Sequence, residues 1–467
     1  MSKQDRESIR KEGRNIYNRL RSIAEDALFV EKVAAQFPSL PVIANQRCGS
    51  WYIDPAKAFK HSVYFKSTDG HFGKWDFNLR RLNYHIISAI CQNKGCIIVD
   101  STRNGKRIPD SLSKTVPIWC AVINTAVAIL RRQSATATPE SWDIRFHSIP
   151  SAVSKSEAQQ ISDRVLSFAH KLLTSSVDMD KVSRILLKPL RPIWISPAST
   201  LDGSFDWASG DDLPFYPVVL LSASMAVPDG LDRREGYTYV QGSADDHEMW
   251  AEGLTPELFW QHSAELLATL NPTACTTLVH QIVATSASRV STSGSSSTAT
   301  SSSIGTTGIS IGNHASGRPP TCFADHDLVI NCGAPEHVFP DKEAMILANR
   351  YLFLPISEGK KGQHQLFDSL GPVLTYIREP LREGKRVLIH CMQGKDRSVG
   401  IALAILVRYM DDEGVLHVDW DTPSEITKDK IQNRLLYIQS FRHVASPTRA
   451  TLQKVKTYFM SGGYAGQ

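Results

Sequence analysis

Arg386-Val387-Leu388-Ile389-His390-Cys391-Met392-Gln393-Gly394-Lys395-Asp396-Arg397-Ser398-Val399-Gly400 is an apolar strand that runs into a glycine-containing loop, with a helix expected from Val399 to Tyr409. A loop in that setting points successive backbone N–H groups at one spot, adds the field of the helix N-terminus and is closed by a planar guanidinium, so it cradles phosphate. The same field favours the thiolate of Cys391. The alternative, a buried structural cysteine in a chance strand-loop-helix, would need several constrained positions to agree by accident.

Leu328 to Cys332 and Tyr351 to Pro355 read as further buried strands, and Phe367 to Leu381 as a helix. The His-Cys-x5-Arg-Ser loop resembles the signature of the cysteine-dependent phosphatases, its Gly-Lys-Asp-Arg form that of the branch acting on phospholipids and other non-protein phosphates. Arg442 to Gln453 resembles the terminal helix segment of the dual-specificity phosphatases. Residues 321–460 are therefore expected to form a mainly parallel sheet flanked by helices. Such enzymes need a general acid, usually an Asp on the loop after the Tyr351 strand. Here that loop, Ile356 to His364, contains no Asp, which leaves Glu358 or Asp396 for the task.

At 467 residues and 42% hydrophobic content the chain can bury a sizeable core and should hold two or three domains. The net charge of +5 permits a polyanionic partner without requiring one. Cysteines 48, 91, 96, 120, 275, 322, 332 and 391 show no C-x-x-C pair and no zinc spacing, which fits free thiols in a reducing compartment. Met1 is followed by charged residues, and no run of about 18 uninterrupted apolar residues occurs. The expectation is a soluble cytoplasmic protein with no membrane association and no obligate protein partner. Thr285 to Gly312 is dominated by Ser, Thr, Gly and Ala, so residues 285–312 read as a flexible linker, tolerant of shortening, between residues 1–284 and 313–467.

The N-terminal part reads as mixed α/β. Ile9, Ile16, Leu20, Ile23 and Ala27 recur at helical spacing until Pro38 and Pro41. The basic face of that helix (Arg10, Lys11, Arg14, Arg19, Arg21) either lies along an RNA backbone or is simply solvated. Ser62 to Lys66 reads as a strand, Leu79 to Ile90 as a helix closed by Gly95, and Cys96 to Val99 as a strand. Strands at Ile193 to Ile195, Val218 to Ser222 and Tyr237 to Val240 follow, then a helix from about Thr255 to Leu270. Thr102-x-x-Gly105-Lys106-Arg107 loosely echoes the C-terminal loop, but a Gly-Lys pair after a strand is common.

Polar clusters break the apolar segments: Asn45 to Tyr52, Lys66-Ser67-Thr68-Asp69-Gly70-His71, Asp100 to Arg107 with the trailing stretch to Trp119, and Gln241 to Trp250. The blocks Phe-Lys-Ser-Thr-Asp-Gly-His, Val-Asp-Ser-Thr-Arg-x-Gly-Lys-Arg, Ser-Lys-Thr-Val-Pro-Ile-Trp and Asp-Asp-His-Glu resemble the initiator tRNA phosphoribosyl transferases of fungi and plants. That resemblance spans nearly the whole chain, including a phosphatase-like C-terminal domain.

The resemblance implies transfer of a 5-phosphoribosyl group from phosphoribosyl diphosphate to the ribose 2′-OH of T-stem adenosine 64 of initiator methionine tRNA, which excludes that tRNA from elongation. The acidic-acidic-x-x-Thr-Gly signature of ordinary phosphoribosyltransferases is absent, so the donor's phosphate is assigned to Cys391, Met392, Gln393, Gly394, Lys395, Asp396, Arg397 and Ser398. Within that loop Lys395, Asp396 and Arg397 are the expected catalytic groups, Asp396 as base or magnesium ligand. Arg47, Lys66, Thr68, Asp69, His71, Arg103, Lys106, Arg107 and Lys114 are candidate contacts to tRNA or donor. Asp245, Asp246 and Glu248 are either magnesium ligands or favourable acids at a helix start. Two other classes compete: a cysteine-dependent phosphatase acting on RNA, lipid or protein phosphate, and a non-catalytic tRNA-binding protein.

Overall fold

The computed structural model describes residues 12–46, 48–103, 105–133, 142–175, 177–200, 213–292, 301–339, 341–411, 415–419, 426–442 and 444–460. The chain divides into two compact units, residues 1–174 with 178–294 and residues 175–177 with 295–467.

Unit 1 opens with α1 (Ile16–Gln36), whose first turn is capped by the Asn15 side chain and which ends at Phe37, ahead of Pro38. There follow β1 (Val42–Ala44), α2 (His85–Asn93), β2 (Cys96–Asp100), α3 (Val116–Gln133), α4 (Lys155–Leu173), α5 (Met179–Ile185), β3 (Leu190–Ile195) and β4 (Tyr216–Ser222). A hairpin, β5 (Leu231–Arg234) and β6 (Tyr237–Val240), precedes α6 (Pro256–Gln261), α7 (Ser263–Leu267) and α8 (Pro272–Thr292). The sheet runs β1-β2-β4-β3 with every pair parallel.

Every residue of β2 and β4 is buried, as an all-parallel sheet covered by helices on both faces requires. Ile97, Val99, Val219 and Leu221 share one core with Leu20, Ile23, Val30 and Val33 of α1. The helix Ser111–Gln133, π-helical in its first turn, is long and apolar enough to cross a membrane, but 94% of its apolar window is buried within the protein. It is a core helix. Trp51, Trp75, Trp119 and Trp250 are likewise interior, so they fill the core.

Three local expectations for unit 1 change. The helix expected from Leu79 begins only at His85, since Asn83 just before it takes a left-handed backbone (φ +51°) that no helix continues through. Ser62 to Lys66 is not a strand, because the Asn45 side chain takes the place of a neighbouring strand: its Oδ1 accepts from Phe65 N (2.7 Å) and its Nδ2 donates to Phe65 O (2.9 Å). The helix expected from Thr255 to Leu270 breaks at His262 into α6 and α7. The basic face of α1 is neither wholly solvated nor free for RNA. Arg19 donates to the carbonyls of Ser243 (2.6 Å) and Asp245 (3.0 Å), and Arg21 to that of Leu267 (2.8 Å), so both guanidinia clamp loops of unit 1. Arg14 is exposed, and Ile9, Arg10 and Lys11 lie outside the described residues.

Unit 2 consists of β7 (Ser301–Ser303), β8 (Ile309–Gly312), α9 (Cys322–Asp325), β9 (Leu328–Cys332), α10 (Lys342–Leu347), β10 (Tyr351–Leu354), α11 (Gly359–Arg382), β11 (Val387–His390), α12 (Arg397–Tyr409), α13 (Lys428–Phe441) and α14 (Arg449–Met460). Its sheet order is β10-β9-β11-β8-β7, parallel except for the β7–β8 pair. β11, which delivers the Cys391 loop, is thus flanked on both sides, and the expected mainly parallel sheet with flanking helices is present.

The segment 285–312 departs from a linker. α8 runs on to Thr292, residues 293–300 lie outside the described residues, and Ser301 to Gly312 contributes two strands of the unit 2 sheet. Composition misled because the few apolar side chains, Ile304, Ile309 and Ile311, are all fully buried, so a small number of contacts anchors a polar segment. The loop after β10 is also shorter than expected, since α11 begins at Gly359 rather than near Phe367.

Because Ile311 is a buried strand residue beside Ile389, Ile311→Ala should lower the stability of unit 2 by about 2–4 kcal/mol. Denaturant unfolding followed by circular dichroism measures this. A change within about 0.5 kcal/mol would mean that the segment behaves as a linker.

Candidate active site

The unit 2 loop starts where β11 ends and closes at α12, whose first residue is Arg397. Cys391 is buried, and its Sγ accepts from Gly394 N (3.2 Å) and Ser398 Oγ (3.2 Å). Desolvation pushes the thiol up, but these donors, the Ser398 amide and the Arg397 charge together hold it below the ordinary thiol range. The donors of the loop therefore converge on the Cys391 sulfur. Gly394 has φ +66°, and a Cβ there would lie 2.6 Å from Gly312 O, so no side chain fits between loop and sheet.

The charged side chains of this loop are less available than their sequence suggests. Arg397 is buried and spends its guanidinium on Gly333 O and Ile356 O (both 2.8 Å) and on Glu358 (2.9 Å). Asp396, expected as the base, uses Oδ1 to accept Thr448 N (2.7 Å) just before α14, so the carboxylate braces the loop. Lys395, Met392 and Gln393 are exposed at the mouth. Arg442, quoted in the sequence only as part of a terminal segment, is buried behind the loop and donates to Gly394 O (2.8 Å). The cavity over the loop measures about 190 Å³ and is lined by Cys391, Lys395, Asp396, Arg397 and the Ser357–Gly359 segment among others.

A larger cleft of about 430 Å³ lies in unit 1, where β1 and β2 end. Asn45, Gln46 and Cys48 follow β1; Lys66, Ser67, Thr68 and His71 form one wall; Asp100 to Arg103, Lys106, Pro109 and Asp110 follow β2; Asp245 comes from the loop after β6. Polar clusters scattered over 200 residues of sequence thus meet at the carboxyl edge of a parallel sheet, where open α/β folds bind ligands. Gly242, at φ +67°, brings the last loop in, since a Cβ there would lie 2.8 Å from Thr102 O.

Asp100 closes the cleft floor. Its Oδ2 accepts from Asn45 Nδ2 (2.7 Å) and Ser111 Oγ, and its Oδ1 from Ser101 N (2.8 Å). Burial pushes its carboxyl up to about 6 despite these three donors, with the nearby Asp245 adding to the rise. Sequence reasoning quoted Asp100 only as the start of a block; its position at the carboxyl end of an apolar strand was the signal available.

The remaining candidates separate cleanly. Lys66, Thr68, His71, Arg103 and Lys106 line the cleft. Asp69 does not, being held by Arg81 in a half-buried pair (2.8 Å). Lys114 is buried against Glu157 (3.1 Å) and Asp110 (3.3 Å), a structural cation under the cleft. Arg107 is exposed outside the lining, and Arg47 lies outside the described residues. Arg103 binds both Asp245 (3.0 Å) and Asp246 (2.7 Å), and the Glu248 side chain is not among those described. Among the described residues no group of three or more His, Cys, Asp or Glu side chains is placed to hold a metal ion.

Two family models match the chain, the Rit1 N-terminal domain over residues 9–284 and the Rit1 DUSP-like domain over residues 350–459. The tRNA A64-2′-O-ribosylphosphate transferase of Saccharomyces cerevisiae is 34% identical, with 97% of this chain and 93% of that protein aligned. An uncharacterized protein of Schizosaccharomyces pombe is also 34% identical, over 97% of this chain and 96% of its own length. Among solved structures, the Yvh1 phosphatase domain from Chaetomium thermophilum is 18% identical, covering 36% of this chain and 100% of its own, with a TM-score of 0.28.

Because Ser398 is among the donors that hold Cys391 as thiolate, Ser398→Ala should raise the thiol pKa and slow alkylation of Cys391 by iodoacetamide at pH 7, with the difference vanishing above pH 10. Rates followed by mass spectrometry check this. Equal rates for both proteins at pH 7 would show that the hydroxyl does not stabilise the anion.

Proposed function

The chain belongs to the Rit1 family, and from that premise we propose that it is a tRNA-modifying transferase, acting as its Saccharomyces cerevisiae relative is named to act, on the 2′-oxygen of tRNA adenosine 64. The donor in this reading is phosphoribosyl diphosphate, the acceptor initiator methionine tRNA, and the compartment the reducing cytoplasm, in keeping with eight cysteines none of which is in a disulfide. The observation that carries the reading is the meeting of the separate polar blocks in one cleft at the carboxyl edge of the unit 1 sheet.

In the transfer, the bond from the anomeric carbon to the diphosphate oxygen breaks with its electron pair leaving on diphosphate. The 2′-oxygen bonds to the same carbon, and its proton passes to a base or to water. Charge grows on the diphosphate, so fixed cations and N–H groups lower the barrier. No step needs a sulfur nucleophile. The unit 2 loop serves as a holder for one phosphate group through its backbone N–H groups and the exposed Lys395, while Arg397, Asp396 and Arg442 keep it in shape.

A cysteine phosphatase is the weaker reading for a specific reason. Its nucleophile is present, but both stand-ins for the missing acid are engaged: Glu358 pairs with Arg397 and one oxygen of Asp396 accepts from Thr448 N. Incubation with initiator tRNA and labelled phosphoribosyl diphosphate in magnesium buffer should place label in the tRNA, and Cys391→Ser should retain transfer within a few-fold. Loss of transfer in a folded Cys391→Ser protein, with phosphate release from a model ester by the wild type, would favour the phosphatase.

A further inference from the structure

The transferase reading leaves open which of the two cavities receives the donor. The Cys391 loop is the choice that the sequence suggests, but its geometry suits a single phosphate. The space above it is about 190 Å³, below the range of about 300–1,000 Å³ typical of small-molecule sites, whereas the unit 1 cleft at about 430 Å³ falls inside it. A pentose carrying a 5-phosphate and a diphosphate also needs two kinds of recognition. Its ribose hydroxyls are donors that call for a fixed acceptor, and its phosphates call for cations and N–H groups.

The cleft offers both, in separate places. At the floor, Asp100 is locked by Asn45, Ser111 and the Ser101 amide. A carboxylate has roughly four acceptor positions, so three donors leave about one for a ligand hydroxyl. Burial raises the Asp100 carboxyl to about 6, which still leaves it ionised and acceptor-only at neutral pH. The same charge repels phosphate, which must then lie towards the cationic wall, where Lys66 stands and where Lys106 approaches Asp110 only loosely (3.6 Å). Arg103, already bound to Asp245 and Asp246, fixes the far loop.

We propose that the unit 1 cleft is the phosphoribosyl donor site, with Asp100 accepting from the ribose hydroxyls and Lys66 and Lys106 receiving the phosphates. This rests on the transferase reading and deepens it by placing the donor away from the Cys391 loop. An RNA backbone phosphate would make poorer use of the site, since a buried carboxylate lines it.

The test is calorimetric binding of phosphoribosyl diphosphate to the full chain, with tRNA affinity measured in parallel. The double variant Lys66→Ala, Lys106→Ala changes only lining side chains and should weaken donor binding by about ten-fold or more while leaving tRNA affinity within about three-fold. Asp100→Asn should weaken donor binding as well; because it places an amide against three donors, its melting temperature is measured alongside, and the lysine variant decides if it unfolds. Unchanged donor affinity in the folded lysine variant overturns the proposal. So does a selective loss of tRNA affinity, which would make the cleft an RNA contact, and so does abolition of donor binding by Lys395→Ala alone. Wild-type protein that binds the donor at the cleft but adds no label to tRNA would refute the transferase reading instead, because the binding results stand independently.

Discussion

The Asp100 carboxylate is the junction on which the geometry of unit 1 turns. It ends the central strand β2, accepts the Asn45 amide from the end of β1 and receives Ser111 from the π-helical turn that leads into α3. Asn45 in turn holds the backbone of Phe65 and so fixes the Lys66 to His71 wall. A buried carboxylate with fewer donors would be costly, so the bonds act as a set: removing one leaves the others around an under-solvated charge. This coupling turns three separated polar blocks into one rigid cleft.

Around that junction the structure spends other charges on shape. Arg19 ties α1 to the Ser243–Asp245 loop, Arg81 holds Asp69, and Lys114 bridges Asp110 and Glu157 beneath the cleft. A second buried carboxyl, Asp26, accepts from Ser224 and Tyr239 (both 2.7 Å), and burial pushes it up to about 8. Its network links α1, the end of β4 and β6, so the loops above the sheet edge are held from below. Charged residues that look catalytic in one dimension are thus divided between a few that face the cleft and more that brace it.

Unit 2 shows the same economy. The Cys391 loop keeps the donors that stabilise an anion, yet Arg397 binds two backbone carbonyls and Glu358, and Asp396 binds the backbone ahead of α14. The loop is thus anchored through its own charged side chains.

The sequence by itself determined the α/β character of both units, the strand-loop-helix at Cys391 and the kinship of the polar blocks, because apolar periodicity and local loop chemistry are written in consecutive residues. Within those blocks it could not separate Lys66 and Lys106, which face the cleft, from Asp69 and Lys114, which do not, since that depends on partners tens of residues away. It also missed the strands at Ser301–Ser303 and Ile309–Gly312, where a handful of isoleucines buried by distant neighbours outweigh a polar composition. Only the tertiary structure decided that Asp245 and Asp246 belong to Arg103, and that Asp100, an unassuming strand terminus, sits at the floor of the cleft. The physical reason is common to these cases: burial and pairing are set by which strand ends a parallel sheet brings side by side, and one-dimensional spacing carries no record of that.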